Sequence, residues 1–468
     1  IADANPGSAL ATRLDAFKRW YAQAGTPTLR AAGRFDADAR RYTLTLEQSS
    51  QPSPGQPSKQ PYVIPVLMGL LGRDGAALPL QLEGEAAPAG RERLLVLDAE
   101  RAEFVFTGID AEPVPSLLRG FSAPVKLHDE LDDAALLALL RHDSDPFNRW
   151  EASQRLALSR MLAAIRDGGA LQLDAPFVDA MRALLREPAL DPGFKELALR
   201  PPSEAYVADQ LAEVDPQRVH AVREALLDQL AERLHDDWAW AFAQHQVGEG
   251  YRPDAAQAGR RALANLALWM LVRHATAHGD GVWPGRAYQR FKDAGNMSDR
   301  LGALAALVDA HAELAPAALA RFHALFKDEA LVIDKWFRLQ AAAPEPLREA
   351  AGARPGAVFA RALELLKHPD FSLKNPNRAR SLLFPLTANA AAFHRADGAG
   401  YALWAELVTK LDRANPQVAA RFARQLERWR RLAEPWRSGA RGALERVAAD
   451  PQLSQATREV IVNALENH

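Results

Sequence analysis

The sequence predicts a multidomain α and β chain: an antiparallel β-sandwich followed by a large α-helical superhelix, an armadillo- or HEAT-like solenoid. Three observations predict it. Between Thr28 and about Pro124, short apolar runs alternate with polar residues or are bounded by turn residues. From Asp132 onward, nearly every segment has helical period and is broken by Pro, Gly or Asp. The chain of 468 residues, 48% hydrophobic and 25% charged, has globular composition and length enough for several cores. The expected divisions are a terminal helix over 1–25, the sandwich over 26–124 and the helical domain over 125–468.

Each element has a local reason. Ser8 to Ala24 reads as one amphipathic helix, with Leu10, Leu14, Phe17 and Tyr21 at three- and four-residue spacing and Gly25-Thr26-Pro27 as its stop. Arg41 to Gln48 alternates strictly, placing Tyr42, Leu44 and Leu46 on one face and Thr43, Thr45 and Glu47 on the other, the pattern of a half-buried strand. Further short runs follow at Tyr62–Leu71, Leu78–Leu82, Arg93–Leu97, Glu103–Gly108 and Val114–Arg119, separated in part by turn residues such as Gly72 to Gly75. Six or seven short strands in about a hundred residues predict the sandwich. Helix starts are then expected at Asp215-Pro216, Pro253-Asp254, Asn296-Met297, Asn375-Pro376 and Asn415-Pro416. Asn before Pro is a sound start, because Asn caps free amides and Pro takes a position whose N–H is not needed. Some 340 residues of consecutive short helices, with no clean fixed period, predict degenerate stacked repeats.

Composition narrows the function classes. A formal net charge of -2 provides no global field for nucleic acid or an anionic membrane, and neither is expected as a partner. No apolar run approaches the ~18 residues of a transmembrane helix. Cysteine is absent, which removes disulfides, thiolate metal sites and cysteine nucleophiles and fits a reducing, cytoplasmic compartment. The 47 arginines against 10 lysines fit a GC-rich genome. Because the chain opens at Ile1 with no signal-peptide pattern, it is expected to be cut from something longer.

No self-contained catalytic motif emerges. His274 and His278 are four residues apart, a metal-compatible spacing, but Ala275 stands where a zinc peptidase needs Glu and no glutamate follows before Glu313. The stretch reads instead as a helix end whose dipole suits imidazolium. His235 and His245 flank Trp238 and Trp240 and read as packing residues. His142, beside Asp143 and Asp145, reads equally as an ion cluster or a solvated helix end. There is no glycine-rich phosphate loop and no G-x-S-x-G elbow. The runs Asn375-Pro-Asn-Arg-Ala-Arg380 and Asn415-Pro-Gln-Val-Ala-Ala-Arg421 place arginines within two turns of a helix start, where a cation is unfavourable by roughly 0.3–1 kcal/mol. Such an arginine is either simply solvated or, with the end amides, positioned to attract a carboxylate.

The same residues carry a resemblance. Asn375-Pro-Asn-Arg-Ala-Arg-Ser-Leu382, Ala391-Ala-Phe-His394 with Asp397-Gly-Ala-Gly-Tyr401, and Asn415-Pro-Gln-Val-Ala419 closely resemble the C-terminal region of bacterial aminopeptidase N enzymes, gluzincin zinc metallopeptidases. Phe17-Lys-Arg-Trp-Tyr21, Phe121-Ser-Ala-Pro-Val-Lys126 and Asp334-Lys-Trp-Phe337 continue the match in order, so it covers essentially the whole chain. The resemblance implies an immunoglobulin-like β domain and a helical domain, preceded by the last helix of a catalytic domain. That catalytic domain, with its H-E-x-x-H and G-x-M-E-N motifs, is the implied partner in the same polypeptide and the implied holder of zinc; neither motif occurs here, and no cofactor or metal is expected in this chain. By the same resemblance the helical domain caps the catalytic cleft and limits access to small peptides, and Arg380 and Arg421 line the substrate cavity. The implied whole removes N-terminal residues from peptides. The alternative is a stand-alone helical-repeat scaffold that binds a protein partner.

Overall fold

The computed structural model describes residues 2–8, 10–248, 250–347 and 354–466. Ile1, and Ala9 of the expected first helix, lie outside the described residues. Two compact units are present. One runs to Leu156 and takes in Asp179–Leu184 and Leu197–Leu199; the other holds the remaining helices.

In the first unit, strands β1 (Thr28–Asp36), β2 (Arg41–Ser49), β3 (Ile64–Leu71), β4 (Arg93–Leu97), β5 (Arg101–Thr107), β6 (Val114–Ser116) and β7 (Lys126–Asp129) form two sheets, ordered β5-β2-β1-β7 and β4-β3-β6. Alternation works as expected in β2, where Tyr42, Leu44 and Leu46 face a buried core with Ile64, Val66, Met68, Leu97 and Phe106. Three details depart from the sequence reading. Leu78–Leu82 is not a strand; it runs as a loop held by isolated contacts, including a bridge from Leu82 to Phe106. The strands β1 and β7 were not singled out, and they pair with each other in parallel, so the four-stranded sheet is mixed. The expected single helix over Ser8–Ala24 is three short pieces, Ala11–Arg13, Leu14–Phe17 and Arg19–Ala22. Its last piece is tied to the β domain by Trp20 Nε1, which donates to the Val63 carbonyl at 2.9 Å, and by the Trp20 ring, 4.5 Å from that of Tyr62.

The same unit explains His142 and its neighbours. Gly75, at φ 82°, lies so close to the His142 ring that an added Cβ would sit 2.3 Å from it. Asp143 is buried and accepts hydrogen bonds from Ser116 Oγ at 2.6 Å and Arg119 Nη2 at 2.9 Å, while Asp145 accepts from the amides of Gly120 and Asn148. These carboxylates are used up as structural acceptors.

In the second unit most packed helix pairs are near neighbours in sequence, the pattern of helical repeats, while Pro216–Arg233 also meets Ala390–Phe393. Helix Ala255–Ala277 is the most enclosed: Leu263, Leu266, Leu268, Met270 and Leu271 are fully buried on all sides of it, as expected for a helix that is apolar all round. The expected starts are capped as the residues imply. Asp215, Asp254, Asn296, Asn375 and Asn415 each accept backbone amides from the first turn of their helix. The long helix expected from Asp215 towards Gln246 breaks at Leu234 into Pro216–Arg233 and His235–Gln244.

Candidate functional site

Two neighbouring helices, Pro376–Ala388 and Pro416–Ala423, carry the arginines singled out by the sequence. Asn375 Oδ1 accepts from the amides of Asn377 at 3.0 Å and Arg378 at 3.2 Å, and Asn415 Oδ1 accepts from Val418 at 3.1 Å. These amides are therefore spent on capping, and an anion attracted here would meet guanidinium donors first.

The two arginines of Asn-Pro-Asn-Arg-Ala-Arg have different fates. Arg378 is buried; its Nε donates to Asp334 Oδ1, its Nη1 to the Asp370 carbonyl, and its guanidinium stacks 5.0 Å from the Phe337 ring. Arg380 is exposed and makes no ion pair or hydrogen bond among the described residues. Arg421 is also exposed, and its guanidinium lies 6.0 Å from the ring of Phe384. Phe384 is one turn beyond Arg380 on the same helix, so its ring brings the two arginines to one locality and packs at 5.5 Å on Phe422. Phe384 was missed in the sequence, although its four-residue offset from Arg380 is legible there.

One electrostatic expectation is corrected. Arg380 lies in the second turn of its helix, but helix Pro416–Ala423 is only eight residues long, so Arg421 falls in its last turn. A cation there suits the helix dipole rather than opposing it. Neither arginine has a carboxylate partner among the described residues. An unpaired guanidinium keeps its fork of donors free for a planar anion.

The histidines have other roles. His274 and His278 stack with ring centroids 4.2 Å apart, His278 Nδ1 bonds the His274 carbonyl at 2.8 Å, and His235 packs 4.9 Å from His274. Among the described residues, two groups of three potential ligands come within metal-binding reach, and neither includes His274 or His278. The pair does not fit a catalytic zinc. His245 bonds the Ala241 carbonyl at 2.8 Å and packs against Trp240, while Trp238 is fully buried.

A buried polar network supports the helices. His220 Nδ1 lies 2.7 Å from Glu204 Oε1 and its Nε2 2.8 Å from the Glu345 carbonyl, so both ring nitrogens face acceptors. Burial acts to lower its pKa, but the Glu204 hydrogen bond and charge outweigh burial and raise it. The Glu345 carboxylate in turn accepts the amides of Gly356, Val358 and Phe359, capping helix Ala357–Leu365.

Comparisons with known proteins bear on the arrangement. Residues 133–466 match the family described as "Domain of unknown function (DUF3458_C) ARM repeats", and residues 25–130 match the DUF3458 domain of Ig-like fold. Aminopeptidase N of Escherichia coli K12 is 35% identical over 458 residues, and that of Caulobacter vibrioides 37% over 455 residues; each match covers 97% of this chain and 50% of the relative. A crystal structure of Legionella pneumophila aminopeptidase A in complex with aspartic acid superposes with a TM-score of 0.81 at 26% identity, covering 97% of this chain and 50% of that one. The chain thus spans about half the length of the curated relatives it matches.

Proposed function

The chain belongs to the DUF3458_C family of ARM-repeat domains, with the Ig-like DUF3458 domain ahead of it, and from that membership we propose that it is the noncatalytic part of a zinc-dependent aminopeptidase that removes N-terminal residues from peptides. The observation that carries this reading is the half-length match: relatives called aminopeptidase N align along 97% of the chain, while its sequence contains neither H-E-x-x-H nor G-x-M-E-N. The other half of the polypeptide, its partner, would supply the zinc that polarises the scissile carbonyl and activates water. No step of that chemistry is assigned to residues of this chain. Its part is to cap the cleft, restrict entry to small peptides and line the cavity. A cytoplasmic location, in keeping with the cysteine-free sequence, belongs to the same proposal.

Arg380 and Arg421 are the substrate-lining residues of this reading. Their unpaired, exposed guanidiniums suit the C-terminal carboxylate of a short peptide. In the full-length enzyme, Arg380→Ala and Arg421→Ala should each raise KM for a tripeptide about 10-fold or more, the size of a lost charged hydrogen bond. The same tripeptide amidated at its C-terminus should be nearly indifferent to both changes. Equal losses on the free and amidated peptides would contradict a carboxylate-binding role.

A further inference from the structure

Away from those arginines, three potential metal ligands converge where helix Ala315–Phe326 meets the turn after helix Ala357–Leu365. His323 Nε2 lies 2.6 Å from Asp370 Oδ2 and His368 Nδ1 lies 3.8 Å from the same oxygen, with all three ligand atoms within 4.8 Å of one another. We propose that His323, His368 and Asp370 form a binding site for a transition-metal dication of the zinc class.

Ligand chemistry and spacing both suit such an ion. Two imidazoles and one carboxylate are a donor set that zinc and its neighbours accept, whereas calcium and magnesium prefer oxygen alone. With bonds of about 2.0–2.2 Å, tetrahedral zinc holds its ligand atoms about 3.3 Å apart. The His323–Asp370 pair would therefore open by about 0.7 Å and the His368–Asp370 pair close by about 0.5 Å, adjustments within side-chain torsions. The Asp370 amide donates to His368 Nδ1 at 3.2 Å, so that nitrogen is unprotonated, and it would exchange this long contact for the ion on binding.

Its surroundings hold the set in place and leave it open. The Trp336 ring packs 5.0 Å from His323 and 5.2 Å from His368, and Phe337 packs 5.7 Å from His368. Arg378, itself buried, anchors the Asp370 carbonyl from below. Both imidazoles line a cavity of about 810 Å³ that also takes in Trp336, Gln340 and Arg361, so a bound ion would have space for further ligands on that side. The nearby cations are already matched, Arg361 to Glu364 at 2.7 Å and Arg378 to Asp334, whereas the charge partners of Asp370 among the described residues are the two histidines. The second ligand-rich group, Glu204, His220 and Glu224, is different. His220 spends both nitrogens on acceptors and Glu224 is held by Arg273 at 2.8 Å, so no lone pair is left to point at an ion.

Titration calorimetry of the 468-residue chain with zinc chloride, repeated with cobalt(II) to read the visible band of tetrahedral coordination, tests the site. One ion per chain is expected, with affinity falling as pH drops through the imidazole range. His323→Ala and His368→Ala should each weaken it at least 10-fold, Asp370→Asn should do likewise, and His274→Ala should leave it unchanged. If His368→Ala fails to fold by circular dichroism, His323→Ala decides alone. No zinc binding below 1 mM, or binding undiminished in His323→Ala, would overturn the proposal; loss in His274→Ala alone would place the ion at the other histidine cluster and overturn it equally.

Discussion

Asp309 shows how a single carboxyl ties pH to stability. It sits on helix Met297–Asp309, accepting from Trp269 Nε1 at 3.1 Å, and burial, reinforced by the charge of Glu224, pushes its pKa up to about 7 despite that hydrogen bond. In the unfolded chain the same group would titrate near about 4. Between those values the folded protein holds a proton that the unfolded one has released, so stability from this group falls as pH rises from about 4 to about 7. Asn cannot ionise and keeps an acceptor for Trp269. Asp309→Asn should therefore come nearest the parent in urea midpoint at about pH 4 and exceed it increasingly up to pH 8; a variant equally or less stable at pH 8 would show that the carboxyl is not strained by ionisation. His394 works in the opposite sense over a lower window, because burial lowers it to about 4 and its contribution grows as pH rises from there towards 6.5.

Helix starts carry much of the specification at the next scale. Asn375 and Asn415 close the first turns of the helices that bear Arg380 and Arg421, and each takes amides that would otherwise lack partners. Asn375→Ala should destabilise the chain by about 1 kcal/mol, whereas Arg380→Ala should change stability by less than about 0.5 kcal/mol. Equal effects in chemical denaturation would contradict the division between framework and surface drawn here. These starts were legible in the sequence because capping is local: the Asn, the Pro and the amides lie within four residues. The β2 face was legible for the same reason, its period of two being printed in Tyr42, Leu44 and Leu46. What depended on distant partners was not. Strand β1 contains Gly33 and three charged residues and is specified by pairing with β2 and, in parallel, with β7 almost a hundred residues away. Nothing between Arg378 and Arg380 distinguishes them in sequence; Asp334 and Phe337, which bury the first, lie some forty residues upstream. The His323, His368 and Asp370 cluster was invisible for that reason too, since only the His368-Pro369-Asp370 run is local.

At the scale of the molecule, an Ig-like domain followed by ARM-type repeats spans half of each aminopeptidase N relative. No helix of the described residues is long and apolar enough to cross a membrane. The short helical pieces before β1 leave Tyr21 85% exposed while Trp20 packs on the β domain. The function proposed above has the chain shape access to a zinc centre held elsewhere in the polypeptide. The most direct test is to incubate the isolated chain with zinc and a tripeptide and to measure release of the N-terminal residue by mass spectrometry. The account predicts no release above the uncatalysed background; release that requires zinc and stops on chelation would contradict it.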